Sequence, residues 1–578
     1  MVGAVPRGDR DGGQAVKRTL PTGRARTLLS TAVPTQQPAP EDIGHSGDGH
    51  RTSDAFLARV ALLTAGLSAA GSLLGLGRDQ ALAQLFGAGS ETDAFLVAWT
   101  VPEVASTLLI EDGLAFMLVP AFSAAIAARA MSGPHPRAQD PVRALVAGSL
   151  PRLALAFLAC VALLMVGARP LVTLLAPGLP DPQLAVDCTR LTATCVLTFG
   201  LAGYCSAALR AHSSYLPPAA IYVAYNTGII AALLVLADHW GVRAAAAGVA
   251  VGGCLMVLVQ APSLLRRLRS APSTLLADGT DAETPNKPDP AERAMNPALI
   301  ATVLLFALCR QTQVLIERFL ASPLPSGAIS ELNYAQKVAQ LPMVLSLMLC
   351  TVTFPVVAKA LARGDIERAR DRVERDVALA ACIVLSGAAV VFACAPQIIQ
   401  LLFQRGAFTA DDTAATAAVM RVYSLGLLGH CLVGALVRSY FSAGRPSWYP
   451  VASMAVGMTL TAAAGTWAVG AFGVGGIAAA NALGITVTAV LLLAAMNKRS
   501  VPVRIPVVLL ELAKTLLAAV AATAAGLLPA TRIEQPLGSL ISGCLVIGAV
   551  FGLLLWALKV QAFLPAVRLA TRKLRDAR

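Results

Sequence analysis

The sequence predicts an all-α, polytopic membrane protein with about fourteen transmembrane helices. The chain has 578 residues, of which 56% are hydrophobic and only 14% are charged, and its mean hydropathy is +0.67. A soluble chain could not hide so much apolar surface, because the surface of a soluble protein must be largely polar. Apolar stretches of roughly 20 residues recur along the chain, and each is long enough to cross about 30 Å of hydrocarbon.

A polar segment precedes the series of apolar segments. Residues 1–53 are rich in Gly, Pro, Ser, Thr and Arg and contain no apolar run, so we expect a disordered tail rather than a cleaved signal. The second and eighth apolar segments are long and contain Pro102, Pro342 and Pro355, which predict kinked or broken helices there. The predicted membrane segments cover residues 56–77, 93–126, 145–168, 184–210, 216–237, 243–264, 296–320, 328–358, 377–401, 413–438, 447–470, 474–496, 506–528 and 537–559.

The positions of Lys and Arg predict the orientation in the membrane. Most of the 46 basic residues lie in the N-terminal tail, in the loops after even-numbered segments, or in the C-terminal run 568–578. Cytoplasmic loops carry such an excess, so we expect both termini in the cytoplasm of a bacterial cell, with the chain in the cytoplasmic membrane. The net charge of +13 then serves topology and contact with anionic membrane lipids, and we expect no nucleic-acid partner.

The two halves of the chain resemble each other. The stretch GLAGYC beginning at Gly200 is similar to GLLGHC beginning at Gly426, and Gly241-Val242 before a run of alanines is similar to Gly473-Val474. An even number of helices in each half gives the two copies the same orientation, so we predict a parallel pseudo-repeat. The predicted parts are a tail (1–53), an N-lobe of six helices (54–264), a cytoplasmic linker (265–294), a C-lobe of six helices (295–499), two extra C-terminal helices (500–560) and a basic cytoplasmic tail (561–578).

Charged residues inside the apolar segments indicate where the function lies. A charge at the centre of a membrane helix costs about 2.5–3.5 kcal/mol, so its presence requires a reason. The charges gather on the first, second, seventh and eighth helices, which are equivalent pairs in the two halves, and this predicts one wet cavity between the lobes. Cations in such a cavity suit a phosphate-bearing substrate. The candidate binding residues are Arg78, Asp93, Arg310, Glu317, Arg318 and Lys337.

Simpler interpretations of these residues remain open at this point. Arg310 and Glu317 are two helical turns apart and could form an internal ion pair, and Asp93 could cap a helix. We expect the eleven cysteines to be small buried hydrophobes, since no CxxC pair occurs. Because no nucleophile–base constellation, phosphate loop or zinc spacing occurs either, we predict a transporter rather than an enzyme, with no metal or cofactor. Two matched halves around a cavity favour alternating access over a channel or a structural scaffold.

Four stretches of the sequence resemble one known family. They are SLLGLGRDQALAQLFGAGSETDAFLVAWTVPE (72–103), IERFLASPLPSGAISELNYAQKVAQLPMVL (316–345), FPVVAKALARGD (354–365) and LLFQRGAFTADD (401–412). These stretches are similar to the MurJ (MviN) lipid II flippases of the multidrug/oligosaccharidyl-lipid/polysaccharide exporter superfamily. The resemblance implies fourteen helices and the transfer of undecaprenyl-pyrophosphate-linked muropeptide from the inner to the outer leaflet. It also implies that cavity cations bind the headgroup and that a groove at the last two helices takes the polyprenyl tail.

The same resemblance assigns roles to individual residues. Arg78 and Asp93 match charged family residues in the GRD and TDAF motifs, and Lys337 stands where the family has an arginine. Glu317 and Arg318 are similar to an Asp-Arg pair of the family. Because no nucleotide-binding motif occurs, we expect the membrane potential or an ion gradient to drive transport. Cell-wall synthesis proteins are expected partners.

The chain also departs from the family's pattern. Ser72 stands where the family usually has Arg, and PEVASTLL (102–109) has no cation where the family has two arginines. The eleventh helix offers Ser453, Thr459 and Thr461 but neither Asp nor Asn, which weakens the expectation of sodium coupling. These departures leave three alternatives to lipid II transport: another polyprenyl-linked glycan as cargo, a non-transporting scaffold for wall synthesis, and a drug/cation antiporter of the same superfamily, which would require a more acidic and aromatic cavity.

Overall fold

A computed structural model describes residues 48–111, 113–131, 140–269, 297–346, 363, 365–442 and 447–561, and within these ranges the chain forms helices and no strands. The chain divides into a short unit, Met1–Leu57, and a large unit, Ala58–Arg578. Most of the predicted tail lies outside the described residues, but residues 48–53 are already helical. The predicted linker likewise lies mostly outside them, between Arg269 and Pro297.

Short helices alternate with membrane-length helices along the chain. The elements are α1 (Asp48–Phe86), α2 (Ser90–Ala98), α3 (Thr100–Ser106), a π-helical turn (Thr107–Glu111), α4 (Gly113–Met131), α5 (Pro141–Val166), α6 (Ala168–Leu175), α7 (Pro182–Ala193), α8 (Cys195–Ala211), α9 (Leu216–Ala219), α10 (Ile221–Trp240), α11 (Arg243–Arg269), α12 (Pro297–Ala321), α13 (Ala328–Ala339), α14 (341–346), α15 (Ile366–Ala393), α16 (Ala395–Phe403), α17 (Ala410–Ser424), α18 (Leu427–Ser442), α19 (Tyr449–Arg499), α20 (Ile505–Arg532) and α21 (Pro536–Ala557).

The predicted class of fold is confirmed, whereas the number of fourteen membrane helices stays a prediction. In the described part of the chain, nine helices are long and apolar enough to cross a membrane, and the α17–α18 pair, bent by 47°, makes ten. Helix α19 counts once among them, although its 51 residues are about 77 Å long and therefore exceed two hydrocarbon thicknesses. Helices α1 and α12, which carry charged residues, are not among the ten.

The internal repeat is visible in two glycines that interrupt equivalent helix pairs. Gly241 separates α10 from α11 with φ 56° and ψ −144°, and Gly473 bends α19 with φ 53° and ψ −132°. These backbone angles lie in a region that only glycine adopts readily. Each glycine therefore divides one long apolar stretch into two membrane segments at the same place in its lobe.

The predicted break in the long second segment is also present. The segment divides into α2, α3, the π-helical turn and α4, with Pro102 inside α3. A side chain at Gly113 or Gly203 would collide with the carbonyl oxygen of Leu108 or Leu109, respectively, at 2.0 Å. The two glycines thus make room for the carbonyl groups that the π-helical turn displaces.

The two lobes meet at the end of the molecule where α1 and α12 terminate. The backbone N–H of Ala407 donates to the carbonyl oxygen of Gln84 at 2.9 Å, and the N–H of Gly178 donates to the Ser322 hydroxyl at 3.2 Å. One apolar core continues from α2 and α7 of the N-lobe to α13 and α17 of the C-lobe. We call this closed end of the bundle the Gly87 end, after the glycine that follows α1.

The two extra C-terminal helices are held to the C-lobe by a cluster of charges. Arg504, just before α20, donates to Glu374 at 2.7 Å and to Asp371 at 2.8 Å, and Arg370 donates to the carbonyl oxygen of Pro502. The hydrogen bonds with Glu374 are the largest cause of a raised pKa for the Arg504 guanidinium. The apolar faces of α15, α20 and α21 form a separate core beside this cluster.

The described cysteines are all free thiols. Cys188, Cys195, Cys205, Cys394 and Cys431 are buried. The expectation of burial is wrong for Cys160, Cys254 and Cys544, which are exposed on apolar helices. A surface that faces lipid accepts such small apolar side chains as readily as a protein core does.

Substitution of either repeat glycine should destabilise the fold. Gly241→Ala and Gly473→Ala should each cost about 1–2 kcal/mol through backbone strain alone, since no heavy atom lies within 3.4 Å of the added carbon. Thermal unfolding in detergent measures this loss. Gly470→Ala is the matched control, because Gly470 is helical and has open space around it, so alanine there should be neutral or stabilising. Equal unfolding temperatures for all three variants would contradict the strain argument.

Candidate substrate cavity

A cavity of about 560 Å³ lies between the lobes. Its N-lobe walls come from α1, α3, the π-helical turn, α8 and α10, whereas α12 and α13 of the C-lobe contribute Gln311 and Lys337. The lining follows α1 from Arg78 back to Ser68, away from the Gly87 end. The cavity is therefore closed by the inter-lobe contacts at one end and extends toward the other.

Arg78 projects into this cavity from α1 and is held on three sides. Its guanidinium donates to the Asp79 carboxylate at 2.7 Å and 3.0 Å and to the Asn226 side-chain oxygen at 3.2 Å. The Asn226 amide donates in turn to the carbonyl oxygens of Gly71 and Tyr222, which orients its oxygen toward Arg78. Arg78 is thus positioned by a fixed set of hydrogen bonds.

Lys337 enters the same cavity from the opposite lobe. Its ammonium lies 3.1 Å from the second Asp79 oxygen, so one carboxylate bridges two cations. Trp99 lies beside both, with the Arg78 guanidinium 4.4 Å and the Lys337 ammonium 5.8 Å from the ring centroid. The ring face stabilises positive charge. Two cations share one carboxylate here, which leaves the group with one net positive charge.

Arg318 lies behind this cavity in a more enclosed position. Its guanidinium donates to Glu103 at 3.0 Å and to the Thr100 hydroxyl, both in α3 of the N-lobe. A small void of about 20 Å³ separates Arg318 and Glu317 from the α13 residues facing them. Glu103 lines both this void and the large cavity, so it stands between Arg318 and the open space.

The remaining candidates occupy other places. The buried Glu317 carboxylate accepts from Gln313 at 3.1 Å and from the Asn481 amide of α19. Arg310 is exposed on α12 and lies outside the linings of both cavities. The sequence-predicted set therefore separates: Arg78 and Lys337 come together, Arg318 lies behind them, and Arg310 does not join them.

Asp93 has a structural task that explains its burial. Its carboxylate accepts from the backbone N–H groups of Gly327 at 2.7 Å and Ser330 at 2.8 Å, and from the Ser330 hydroxyl. These groups begin α13, so Asp93 caps a helix of the opposite lobe, whereas its own helix begins after Gly89. Helix N-termini present unpaired N–H groups and favour negative charge. Asp93 thereby joins the lobes at the Gly87 end.

The structure adds four residues to the site, namely Asp79, Trp99, Glu103 and Asn226. Two carried a signal in the sequence, because a carboxylate inside an apolar segment needs a partner as much as a cation does. The predicted set nevertheless contains neither Asp79 nor Glu103. Trp99 and Asn226 are unremarkable in sequence, since nothing local shows which side chain of an apolar helix faces a cavity.

Glu111 adds a further acidic group at the π-helical turn. Its carboxylate accepts from the Tyr222 hydroxyl at 3.1 Å and from the Ser106 hydroxyl at 3.4 Å, all within the N-lobe. Among the described residues, no group of three or more His, Cys, Asp or Glu side chains is placed to hold a metal ion.

The closed, two-lobed arrangement is shared with known transporters. Residues 82–546 match the family model described as lipid II flippase MurJ. The chain belongs to the MurJ family. The resemblance predicted from four sequence stretches is thereby confirmed. The family match also confirms two further predictions: the chain is a multi-pass protein of the bacterial inner membrane, and it is a transporter rather than an enzyme.

Two relatives of known sequence illustrate the extent of the match. The lipid II flippase MurJ of Burkholderia cenocepacia is 28% identical over 393 residues, covering 67% of this chain and 73% of the relative. The probable lipid II flippase MurJ of Bdellovibrio bacteriovorus is 27% identical over 497 residues, covering 82% of this chain and 89% of the relative.

The solved structures show that the fold is shared with MurJ and its superfamily. Lipid II flippase MurJ in an inward closed conformation superposes with a TM-score of 0.66 at 17% identity, covering 85% of this chain and 98% of the other. An inward-facing multidrug resistance MATE family transporter of the MOP superfamily gives a TM-score of 0.57 at 14% identity. The match covers 74% of this chain and 96% of the other.

Removal of the Asp93 cap should weaken the joint between the lobes. Asp93→Ala leaves the first N–H groups of α13 without their acceptor in a buried place, so the free energy of unfolding should fall by about 1–3 kcal/mol. Asp411→Ala is the control, since Asp411 lies exposed in the first turn of α17 and should cost about 0.5 kcal/mol. Thermal unfolding compares the two variants, and an equal loss in both would argue against the cap.

Proposed function

We propose that this MurJ family member moves lipid II, an undecaprenyl-pyrophosphate-linked muropeptide, from the inner to the outer leaflet. One observation carries the proposal: Arg78 and Lys337, from different lobes, meet in a cavity of about 560 Å³ inside a membrane bundle. The family and the relatives named for lipid II transport support this cargo. Lipid II is itself a polyprenyl-linked glycan lipid.

The headgroup would bind at the cation pair. Among the described residues, Asp79 is the carboxylate that pairs with both Arg78 and Lys337. This group of three side chains has one net positive charge, which attracts a pyrophosphate group. Phosphate oxygens accept strong, charge-assisted hydrogen bonds from guanidinium and ammonium groups. Trp99 lines the cavity beside both cations, and its ring stabilises their positive charge. The sugar and peptide part would extend along α1 toward Ser68.

Transport would follow alternating access. With both termini in the cytoplasm, the Gly87 end faces outward, so the described state is closed outside. The headgroup would enter from the cytoplasmic side, and the lobes would then part at the Gly87 end to release it. No covalent chemistry is needed. We infer that the membrane potential or an ion gradient drives the cycle, since one charge moved through 100 mV is worth about 2.3 kcal/mol.

An apolar groove offers a place for the polyprenyl tail. Its volume is about 600 Å³, and its walls come from α15, the α17–α18 junction, α19 and α20, with Leu428, Leu493 and Leu516 among the lining residues. Of the last two helices, α20 contributes to the lining. An isoprenoid chain would lie along this groove while the headgroup crosses between the lobes.

A second candidate is the transfer of another polyprenyl-linked glycan. Ser72, Ser106 and Thr107 line the cavity, and they belong to the two stretches where the family usually has arginine. Hydroxyl groups bind sugars as well as phosphate, so a headgroup with fewer charges would also fit. Cell-wall synthesis proteins are proposed partners with either cargo.

Loss of Arg78 should slow transport strongly. Arg78→Ala removes one of two phosphate-binding cations and should reduce lipid II translocation about 10- to 100-fold, the range expected for a charge-assisted hydrogen bond. Translocation is measured in proteoliposomes and by rescue of a strain depleted of its lipid II flippase. Arg243→Ala is the control, because Arg243 pairs with Asp187 at the surface of the N-lobe.

Rescue that survives neutralisation of both Arg78 and Lys337 would favour a scaffold over a transporter. Failure of the unaltered chain to rescue, together with loss of another surface glycan in a deletion strain, would identify the second candidate cargo.

A polar side chain in the groove should weaken tail recognition. Leu516→Gln places an amide among apolar residues, so the preference for a long polyprenyl tail over a short one should fall several-fold. Competition between long-tailed and short-tailed lipid II analogues measures this preference. Leu545→Gln is the control, because Leu545 is exposed on α21 outside the groove. An unchanged preference in Leu516→Gln would exclude this groove as the tail site.

A further inference from the structure

Glu103 occupies a position between two spaces of different character. It lines the large cavity on one side and the small void around Arg318 on the other. The Glu103 side chain is 35% exposed, whereas that of its partner Arg318 is only 5% exposed. The carboxylate therefore covers the guanidinium, and a ligand in the cavity meets Glu103 before it can meet Arg318.

The pair also joins the two lobes. Glu103 and Thr100 belong to α3 of the N-lobe, and both accept from Arg318 on α12 of the C-lobe. The second inter-lobe ion pair in the cavity, Asp79 with Lys337, has the same polarity, with the carboxylate on the N-lobe and the cation on the C-lobe. Both inter-lobe ion pairs thus place an N-lobe anion where a ligand's phosphate could bind.

Arg318 needs an anionic partner as long as it is buried. A buried guanidinium that loses its partner without replacement is strongly destabilising. If the lobes part, Glu103 moves away with the N-lobe, and Arg318 stays behind on the C-lobe. A phosphate group fits the fork of an arginine at least as well as a carboxylate does, so a phosphorylated ligand can take over the contact.

The chain around Glu103 is built to allow such a movement. Pro102 precedes Glu103, and α3 ends three residues later in the π-helical turn. Turns of this kind interrupt the regular hydrogen bonding of a helix and mark places where it bends. The carboxylate already faces the large cavity, so its withdrawal from Arg318 requires no passage through packed side chains.

We propose that Glu103 is an inter-lobe clasp that a ligand's phosphate or pyrophosphate group opens by replacing the Glu103 carboxylate on Arg318. The clasp keeps the lobes together while the cavity is empty and releases them once an anion of higher charge has entered. It also makes Glu103 a specificity residue, because an uncharged lipid cannot displace it. The identity of the ligand rests on the proposed function, whereas the clasp itself does not.

The clasp is tested first without any ligand. Genetically encoded spin labels at the exposed positions Leu265 on α11 and Ile366 on α15 report the distance between the lobes in nanodiscs. Glu103→Gln should shift the distance distribution away from that of the unaltered chain. Glu111→Gln should leave the distribution unchanged. Glu111 also lines the cavity, but its hydrogen bonds within the described residues go to Ser106 and Tyr222 of its own lobe.

A charge-exchanged variant distinguishes loss of the ion pair from misfolding. In E103R/R318E the pair is retained with reversed polarity, so its distance distribution should return to that of the unaltered chain. Glu103→Gln with an unchanged distribution would overturn the clasp, and so would an E103R/R318E variant that stays shifted although it is folded.

The second arm adds ligands with one hydrocarbon chain and different charges. Geranylgeranyl pyrophosphate should bind more tightly than geranylgeranyl monophosphate or geranylgeraniol and should shift the lobe distance as Glu103→Gln does. Glu103→Gln removes the competitor, so its affinity for the pyrophosphate should rise at least fivefold and its discrimination against the monophosphate should narrow. Arg318→Gln should weaken pyrophosphate binding in both backgrounds.

The two arms separate failure of the inference from failure of the proposed function. Weaker or unchanged pyrophosphate binding by Glu103→Gln would overturn the competition between carboxylate and phosphate. A third outcome is that no charged polyprenyl lipid binds the unaltered chain while Glu103→Gln still parts the lobes. This outcome would overturn the proposed cargo and the release of the clasp by phosphate. It would still support the contact between Glu103 and Arg318 as a link between the lobes.

Discussion

A charge inside the hydrocarbon region must have a partner, and this constraint organises the centre of the molecule. Arg78 and Lys337 share Asp79, and Arg318 has Glu103 and Thr100. In both groups the contact runs from one lobe to the other. The cost of an unpaired charge in lipid thus holds the empty cavity together. The same cost allows a charged ligand to rearrange it, because any group that replaces an internal partner must itself be an anion.

The Gly87 end is held together by contacts of another kind. Here Asp93 accepts backbone N–H groups of Gly327 and Ser330, and backbone groups of Gln84 and Ala407 pair directly. These contacts are hydrogen bonds that give backbone N–H and carbonyl groups their partners. None of them is an ion pair between side chains. At the Gly87 end, hydrogen bonds to backbone groups hold the lobes together. In the cavity, ion pairs hold the lobes together, and an anionic substrate can rearrange these ion pairs.

The departures from the family's pattern acquire a structural meaning. Ser72, Ser106 and Thr107 line the cavity in the stretches where the family usually carries arginine. Glu103 lies in one of these stretches and neutralises Arg318. The cavity consequently holds fewer unbalanced cations than the family pattern implies. Its affinity for a phosphorylated headgroup then depends on the Arg78–Lys337 pair and on how readily Glu103 yields its place.

The sequence alone determined the class of fold, the two-fold repeat and the family, because long apolar segments, matched glycines such as Gly241 and Gly473, and ordered motifs are local properties of the chain. It also indicated Arg78 and Lys337, since charge in an apolar segment is conspicuous. Only the tertiary structure decided the partners: Asp93 caps a helix in the other lobe, Arg310 lies outside the cavity, and Glu103 covers Arg318. Pairing between segments more than 200 residues apart depends on how the helices rotate and cross when they pack, and periodicity within one segment carries no record of that.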